Sequence, residues 1–136
     1  VSGLSLDQDK SEIRIDMRIP VLADKDKLVQ ELSQIAEEYQ LRYEEFDYLA
    51  PLYVPLDSEL VSTLMAVYKE KTNDNSPAVS SGGATFARTM PNCVAFGALF
   101  PGALQTEHQA NERTVIEDLY KAMDIYAETI YRLAGK

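Results

Sequence analysis

Between residues 12 and 19 apolar and polar positions alternate, with Ile13, Ile15, Met17 and Ile19 separated by Arg14, Asp16 and Arg18. A period of two places each set on its own face of a strand, so one face packs on a core and the other meets solvent or a partner. Residues 1–7 lead into the polar turn Asp7-Gln8-Asp9-Lys10, and the two extended runs around it predict a β-hairpin. Pro20 ends the second strand, and Asp24 caps a helix whose apolar residues Leu28, Leu32, Ile35, Ala36 and Tyr39 follow helical spacing. Residues 41–48 return to strand-like composition through Tyr43, Phe46 and Tyr48, although Glu44-Glu45 breaks the alternation. The first 50 residues therefore predict β-β-α-β, an antiparallel sheet with one helix across a face.

The prolines of Ala50-Pro51-Leu52-Tyr53-Val54-Pro55 hold their neighbours extended, and a domain boundary is placed here, between residues 1–54 and 55–136. Asp57 is positioned as the N-cap of a helix from Ser58 to about Lys71, with Leu60, Val61, Leu64, Met65 and Tyr68 on one face. Residues 72–77 form a polar loop. Thr114-Val115-Ile116-Glu117 has the wording of a capping box, and the helix it opens repeats Ile116, Leu119, Met123, Tyr126, Ala127, Ile130 and Leu133 up to Gly135. The rings of Tyr120, Tyr126 and Tyr131 are expected to pack or sit at the rim. The expected fold class is α/β in the α+β sense.

Composition narrows the function. The 136 residues are 46% hydrophobic and 26% charged, which suits a globular chain with a core. A net charge of −9 argues against nucleic acid and against anionic membrane surfaces, because both reward clustered Lys and Arg. The acidic residues are scattered along helix faces and read as a solvated surface. A single cysteine excludes an internal disulfide, and with no long apolar run and no signal-peptide pattern a cytoplasmic location is expected. The chain begins at Val1 in what reads as a strand, so a fragment or processed piece is expected.

Chemistry concentrates in residues 81–112. Gly82-Gly83 lets backbone approach a ligand closely, and amides beyond the pair would suit a carboxylate or an oxyanion; a plain turn explains the same pair. Cys93 precedes Val94-Ala95-Phe96, which is a core context and not that of a nucleophile. His108 is bracketed by Glu107, Asn111 and Glu112, which are able to orient an imidazole toward a metal. A metal needs three or four ligands, and one His with one Cys does not supply them, so a solvated or hydrogen-bonded histidine is the competing reading.

Three separated stretches, Ser81-Gly82-Gly83-Ala84-Thr85-Phe86-Ala87-Arg88, Asn92-Cys93-Val94-Ala95-Phe96-Gly97 and His108-Gln109-Ala110-Asn111-Glu112, agree in order and spacing with one family. The run resembles the C-terminal part of the zinc metallopeptidases that include carboxypeptidase G, aminoacylase, succinyl-diaminopimelate desuccinylase and the carnosinase-like dipeptidases. It is most similar to the bacterial dipeptidase V (Xaa-His dipeptidase) branch. The resemblance implies that residues 1–54 are the second half of a ferredoxin-like lid, and residues 55–136 the C-terminal part of a catalytic domain. One strand edge and part of a sheet face would then lie open, which invites self-association.

Carried over by residue, the resemblance makes His108 a ligand of one of two zinc ions and Arg18, within Ile15-Asp16-Met17-Arg18-Ile19-Pro20, a contact of the substrate carboxylate. Gly82, Gly83, Ala84 and Thr85 would line the substrate carboxylate and the reacting carbonyl. Related enzymes often have Thr or Ser where this chain has Ala84, which leaves backbone amides or the Thr85 hydroxyl to bind. Arg88 and Glu112 are assigned support, Arg88 by tying the loop down and Glu112 by orienting His108 or beginning the last helix. The His-x-Asp motif, the bridging aspartate, the general base and a further acidic ligand lie upstream in the family, so the chain alone is expected to be an inactive piece of a zinc dipeptidase acting on small peptides. A non-catalytic α/β binding or assembly module is the alternative from another class; an N-acyl-amino-acid deacylase or desuccinylase is the competitor among enzymes.

Overall fold

The computed structural model describes residues 1–97 and 99–135. Among these residues are a two-stranded antiparallel sheet and three α-helices, an α+β arrangement divided into two compact units, Val1–Tyr53 and Val54–Lys136.

In the first unit β1 (Gly3–Leu6) pairs with β2 (Ser11–Arg14), placing Gly3 opposite Arg14, Leu4 opposite Ile13, Ser5 opposite Glu12 and Leu6 opposite Ser11. The Asp7 amide closes the turn on the Lys10 carbonyl at 3.1 Å. The alternation through Ile19 overstates the second strand, which stops at Arg14. The ladder covers four pairs, each summing to 17, and β2 ends at Arg14 opposite Gly3, where β1 begins.

Helix α1 (Lys25–Glu38) starts as its sequence predicts, with the Asp24 carboxylate accepting from the Lys27 amide at 3.1 Å. It ends in a Schellman arrangement, the Leu41 amide donating to the Ala36 carbonyl at 2.8 Å and the Gln40 amide to the Glu37 carbonyl at 2.9 Å. Gln40 takes the left-handed conformation that this requires, with φ of 58°. Residues 41–48, expected as a third strand, are not one. Asp47 has φ of 55°, which breaks an extended run, and side chains hold the segment instead: Lys25 Nζ donates to Glu45 Oε1 at 2.7 Å and lies 4.2 Å from the centre of the Tyr48 ring. Among the described residues of this unit none is fully buried, and Leu4, Ile13 and Ile15 stand exposed along the hairpin.

The second unit is built on α2 (Glu59–Thr72) and α3 (Ile116–Ala134), whose packing buries Val61, Leu64 and Val67 on one side and Ala122, Ile125 and Thr129 on the other. Ser58, and not Asp57, caps α2, its Oγ accepting from the Val61 amide at 3.2 Å. Asn73, left-handed at φ 57°, ends it. The expected capping box at Thr114 is absent: Val115 is the N-cap and has no side-chain acceptor, so Glu117 and Asp118 answer the helix dipole by charge alone. Arg132 ties the helices together, reaching Glu70 through two nitrogens at 3.1 and 2.6 Å and Glu128 at 2.7 Å, while Lys71 meets Asp124 at 2.9 Å. These ion pairs hold the Glu70 carboxyl below, and the Lys71 ammonium above, their ordinary pKa values. No described helix is long and apolar enough to cross a membrane.

Candidate functional site

The conspicuous residues of the second unit lie on two loops joined to α3. In the first loop the Ser81 hydroxyl accepts from the Gly83 amide at 3.1 Å, closing a small turn. The Gly83 amide is thus engaged within the turn, and neither glycine adopts a left-handed φ. Gly82 has nothing within 4 Å of where a Cβ would stand, so its backbone lies open to a ligand. Thr85 caps the 3₁₀ turn Phe86–Thr89 by accepting from the Ala87 amide at 3.2 Å. A hydroxyl that accepts there keeps its own proton to donate. Ala84 is exposed and presents only backbone, and Phe86 beside it is 91% exposed. Arg88 is half-buried and engaged with the protein.

Beyond this turn Phe96 anchors the loop to α3. Its carbonyl accepts from Tyr126 Oη at 2.9 Å, and the two rings meet edge to face at 5.9 Å between centroids. Residues 85–97 enclose a shallow cleft of about 390 Å³ beside the Thr85 cap. Cys93 is a half-buried free thiol, in keeping with a packing role. Pro101 and Gly102 then make the expected turn, with Gly102 at φ 82° and the Ala103 amide donating to the Phe100 carbonyl at 3.0 Å.

The second loop carries His108. Thr106 closes it from both sides, its Oγ1 donating to the Arg113 carbonyl and accepting from the Arg113 amide, each at 3.1 Å. Inside this clamp His108 and Asn111 are left-handed, with φ of 61° and 63°, and the Glu112 amide donates to the Gln109 carbonyl at 3.2 Å. A left-handed non-glycine residue persists only where its surroundings enforce it, so the imidazole is held out on a strained, exposed corner. Glu112 belongs to this turn and not to α3, which begins at Ile116. The Thr106 clamp was not foreseen from sequence; a threonine leading into a short polar run was its only signal.

Arg18 lies in the first unit, exposed, with its guanidinium 3.5 Å from Asp16. It follows β2 instead of belonging to it. Among the described residues no three of His, Cys, Asp or Glu come together to hold a metal. One exposed imidazole supplies at most one of the three or four donors that zinc needs, so the described residues do not by themselves fit zinc. Away from these loops, a cleft of about 560 Å³ between α2 and α3 is lined by Tyr68, Lys71, Asp74, Phe100, Lys121 and Asp124. There the Tyr68 hydroxyl donates to Asp74 at 3.0 Å; burial raises the tyrosine pKa, and Ser76 lowers that of Asp74.

Comparison with known proteins gives the class. The description "Peptidase family M20/M25/M40" matches residues 7–132, so the chain belongs to that family. It is 38% identical over 123 residues to a Bacillus subtilis (strain 168) protein named "Putative dipeptidase YtjP", covering 90% of this chain and 26% of the relative. A Staphylococcus aureus (strain USA300) protein, also named "Putative dipeptidase", is 31% identical over 119 residues, 88% of this chain and 25% of its own length. The chain thus spans about a quarter of the length of the curated relatives it matches. No solved structure gives a significant match.

Proposed function

We propose that the chain is part of a zinc-dependent dipeptidase that hydrolyses dipeptides with a free C-terminal carboxylate in the cytoplasm. The observation that carries this reading is the family match over residues 7–132, which takes in both loops and Arg18, together with relatives named as dipeptidases. Those names favour a dipeptidase over a deacylase, and membership of a peptidase family favours an enzyme over a binding module. Residues 1–54 are assigned to the second half of the lid domain and residues 55–136 to the C-terminal part of the catalytic domain.

In this reading His108 lends one ligand to a metal site completed by residues upstream, where the general base also lies. Arg18 grips the substrate carboxylate, for which a planar guanidinium fork is suited. The open backbone at Gly82, the Ala84 peptide and the Thr85 proton line the carboxylate and the reacting carbonyl, with Gly83 fixing the turn and Arg88 holding the loop. Glu112 supports the His108 corner through the turn. The exposed hairpin face offers a surface for self-association.

Hydrolysis of a panel of dipeptides by the full-length polypeptide and by this chain alone tests the reading. Activity is expected only in the full-length protein, abolished by chelator and reduced at least about a thousandfold by His108→Ala. Hydrolysis by the chain alone, or full activity in the variant, would overturn it.

A further inference from the structure

The loop that leads into α3 is closed by one side chain. Of residues 104–117 only Thr106 is not exposed, and its Oγ1 meets both backbone groups of Arg113, donating to the carbonyl and accepting from the amide, each at 3.1 Å. A hydroxyl is suited to this because one atom both donates and accepts. Arg113 stands just before α3, which begins at Ile116 and packs on α2, so the clamp ties the loop to the core of this unit. The stretch that it spans folds as two successive turns, the Gln109 amide donating to the Thr106 carbonyl and the Glu112 amide to the Gln109 carbonyl, each at 3.2 Å. In both turns the third residue is left-handed, His108 at φ 61° and Asn111 at φ 63°, which is the pattern of a type II turn. That position favours glycine, which has no Cβ to crowd, and a histidine stays there only where its surroundings hold it.

We infer that Thr106 is a positioning residue for His108: its hydroxyl, bonded to both backbone groups of Arg113, fixes the left-handed corner from which the imidazole is presented. Thr106 acts through the histidine and not on the substrate. Its part in the reaction rests on the reading of the chain as part of a dipeptidase, whereas the clamp itself rests on the geometry of the loop.

Two variants separate the hydroxyl from the bulk of the side chain. Thr106→Val keeps the shape and removes both hydrogen bonds, and Thr106→Ser keeps the hydroxyl. In the full-length polypeptide Thr106→Val is expected to lower kcat at least about tenfold with KM changed by less than about threefold, and Thr106→Ser to stay within about threefold of wild type in both. This chain has one histidine, so selective isotope labelling reads His108 alone. The strong NOE between amide and α protons that marks a left-handed residue is expected at His108 in the wild-type chain and in Thr106→Ser, and to be weakened in Thr106→Val. The Arg113 amide should exchange with deuterium at least about tenfold faster in Thr106→Val only. Wild-type kcat in Thr106→Val, a Thr106→Ser protein as slow as Thr106→Val, or an unchanged His108 signal in Thr106→Val would overturn the inference. A full-length protein that hydrolyses no dipeptide would instead overturn the dipeptidase reading and Thr106's part in that reaction, while the His108 signal still decides whether Thr106 holds the corner.

Discussion

Three small side chains set the shape of the candidate site by bonding to nearby backbone: Ser81 to Gly83, Thr85 to Ala87 and Thr106 to Arg113. Each accepts from a backbone amide two to seven residues away and so closes its loop locally. Gly102 is the one described glycine with a left-handed φ, at 82°. Gly102→Ala is therefore expected to destabilise the second unit by about 1 kcal/mol in chemical denaturation, whereas Gly82→Ala, with open space around it and no such φ, should be near neutral. A Gly102→Ala variant as stable as the wild type would show that the Phe100 to Ala103 turn does not hold its loop. Sequence pointed to the conspicuous residues themselves, His108 and the glycine pair, because rare residue types stand out. It did not give their backbone: His and Asn tolerate a left-handed φ, but that His108, Asn111 and Gln40 adopt it is decided by the hydrogen bonds of the turns they stand in.

At the scale of elements, periodicity located all three helices within a residue or two, because a stripe of apolar side chains at helical spacing is a property of the sequence itself. The strands were less legible. Pairing is decided by what lies opposite, so β2 stops where β1 runs out, and residues 41–48 keep a strand's composition without a strand's partner. Caps were misplaced for a similar reason, as Ser58 and Val115 compete with equally plausible neighbours. Between α2 and α3 the Glu70–Arg132 fork adds a pH dependence. Arg132 lowers the Glu70 pKa below its ordinary 4.5, so the contribution of the pair is complete above that value and is lost as the pH falls through the depressed value. Glu70→Gln is expected to lower the stability of the unit in urea titrations between about pH 5 and 8, with the gap from wild type closing as the medium becomes more acid than the carboxylate range. A gap that persists in strong acid would mean that the substitution acts through packing and not through charge.

The whole chain spans about a quarter of the length of its curated relatives, and its surface bears on that. The first unit has no fully buried residue among those described, several apolar side chains of α3 stand exposed, and His108 sits on an exposed corner with no metal-binding cluster among the described residues. Under the proposed function each is answered by residues outside this chain, which supply a core, a covering layer and metal ligands to join His108. The family could be read from three short motifs because their order and spacing are specific. Geometry between them could not be read, because the order and spacing of motifs do not fix the backbone path. The most direct measurement is calorimetric titration of zinc into the full-length polypeptide, its His108→Ala variant and this chain alone. Stoichiometric binding at micromolar Kd or tighter in the full-length protein, weakened at least about tenfold by His108→Ala and absent from the chain alone, is the predicted result. Equally tight binding by the chain alone, or full-length binding indifferent to His108→Ala, would contradict it.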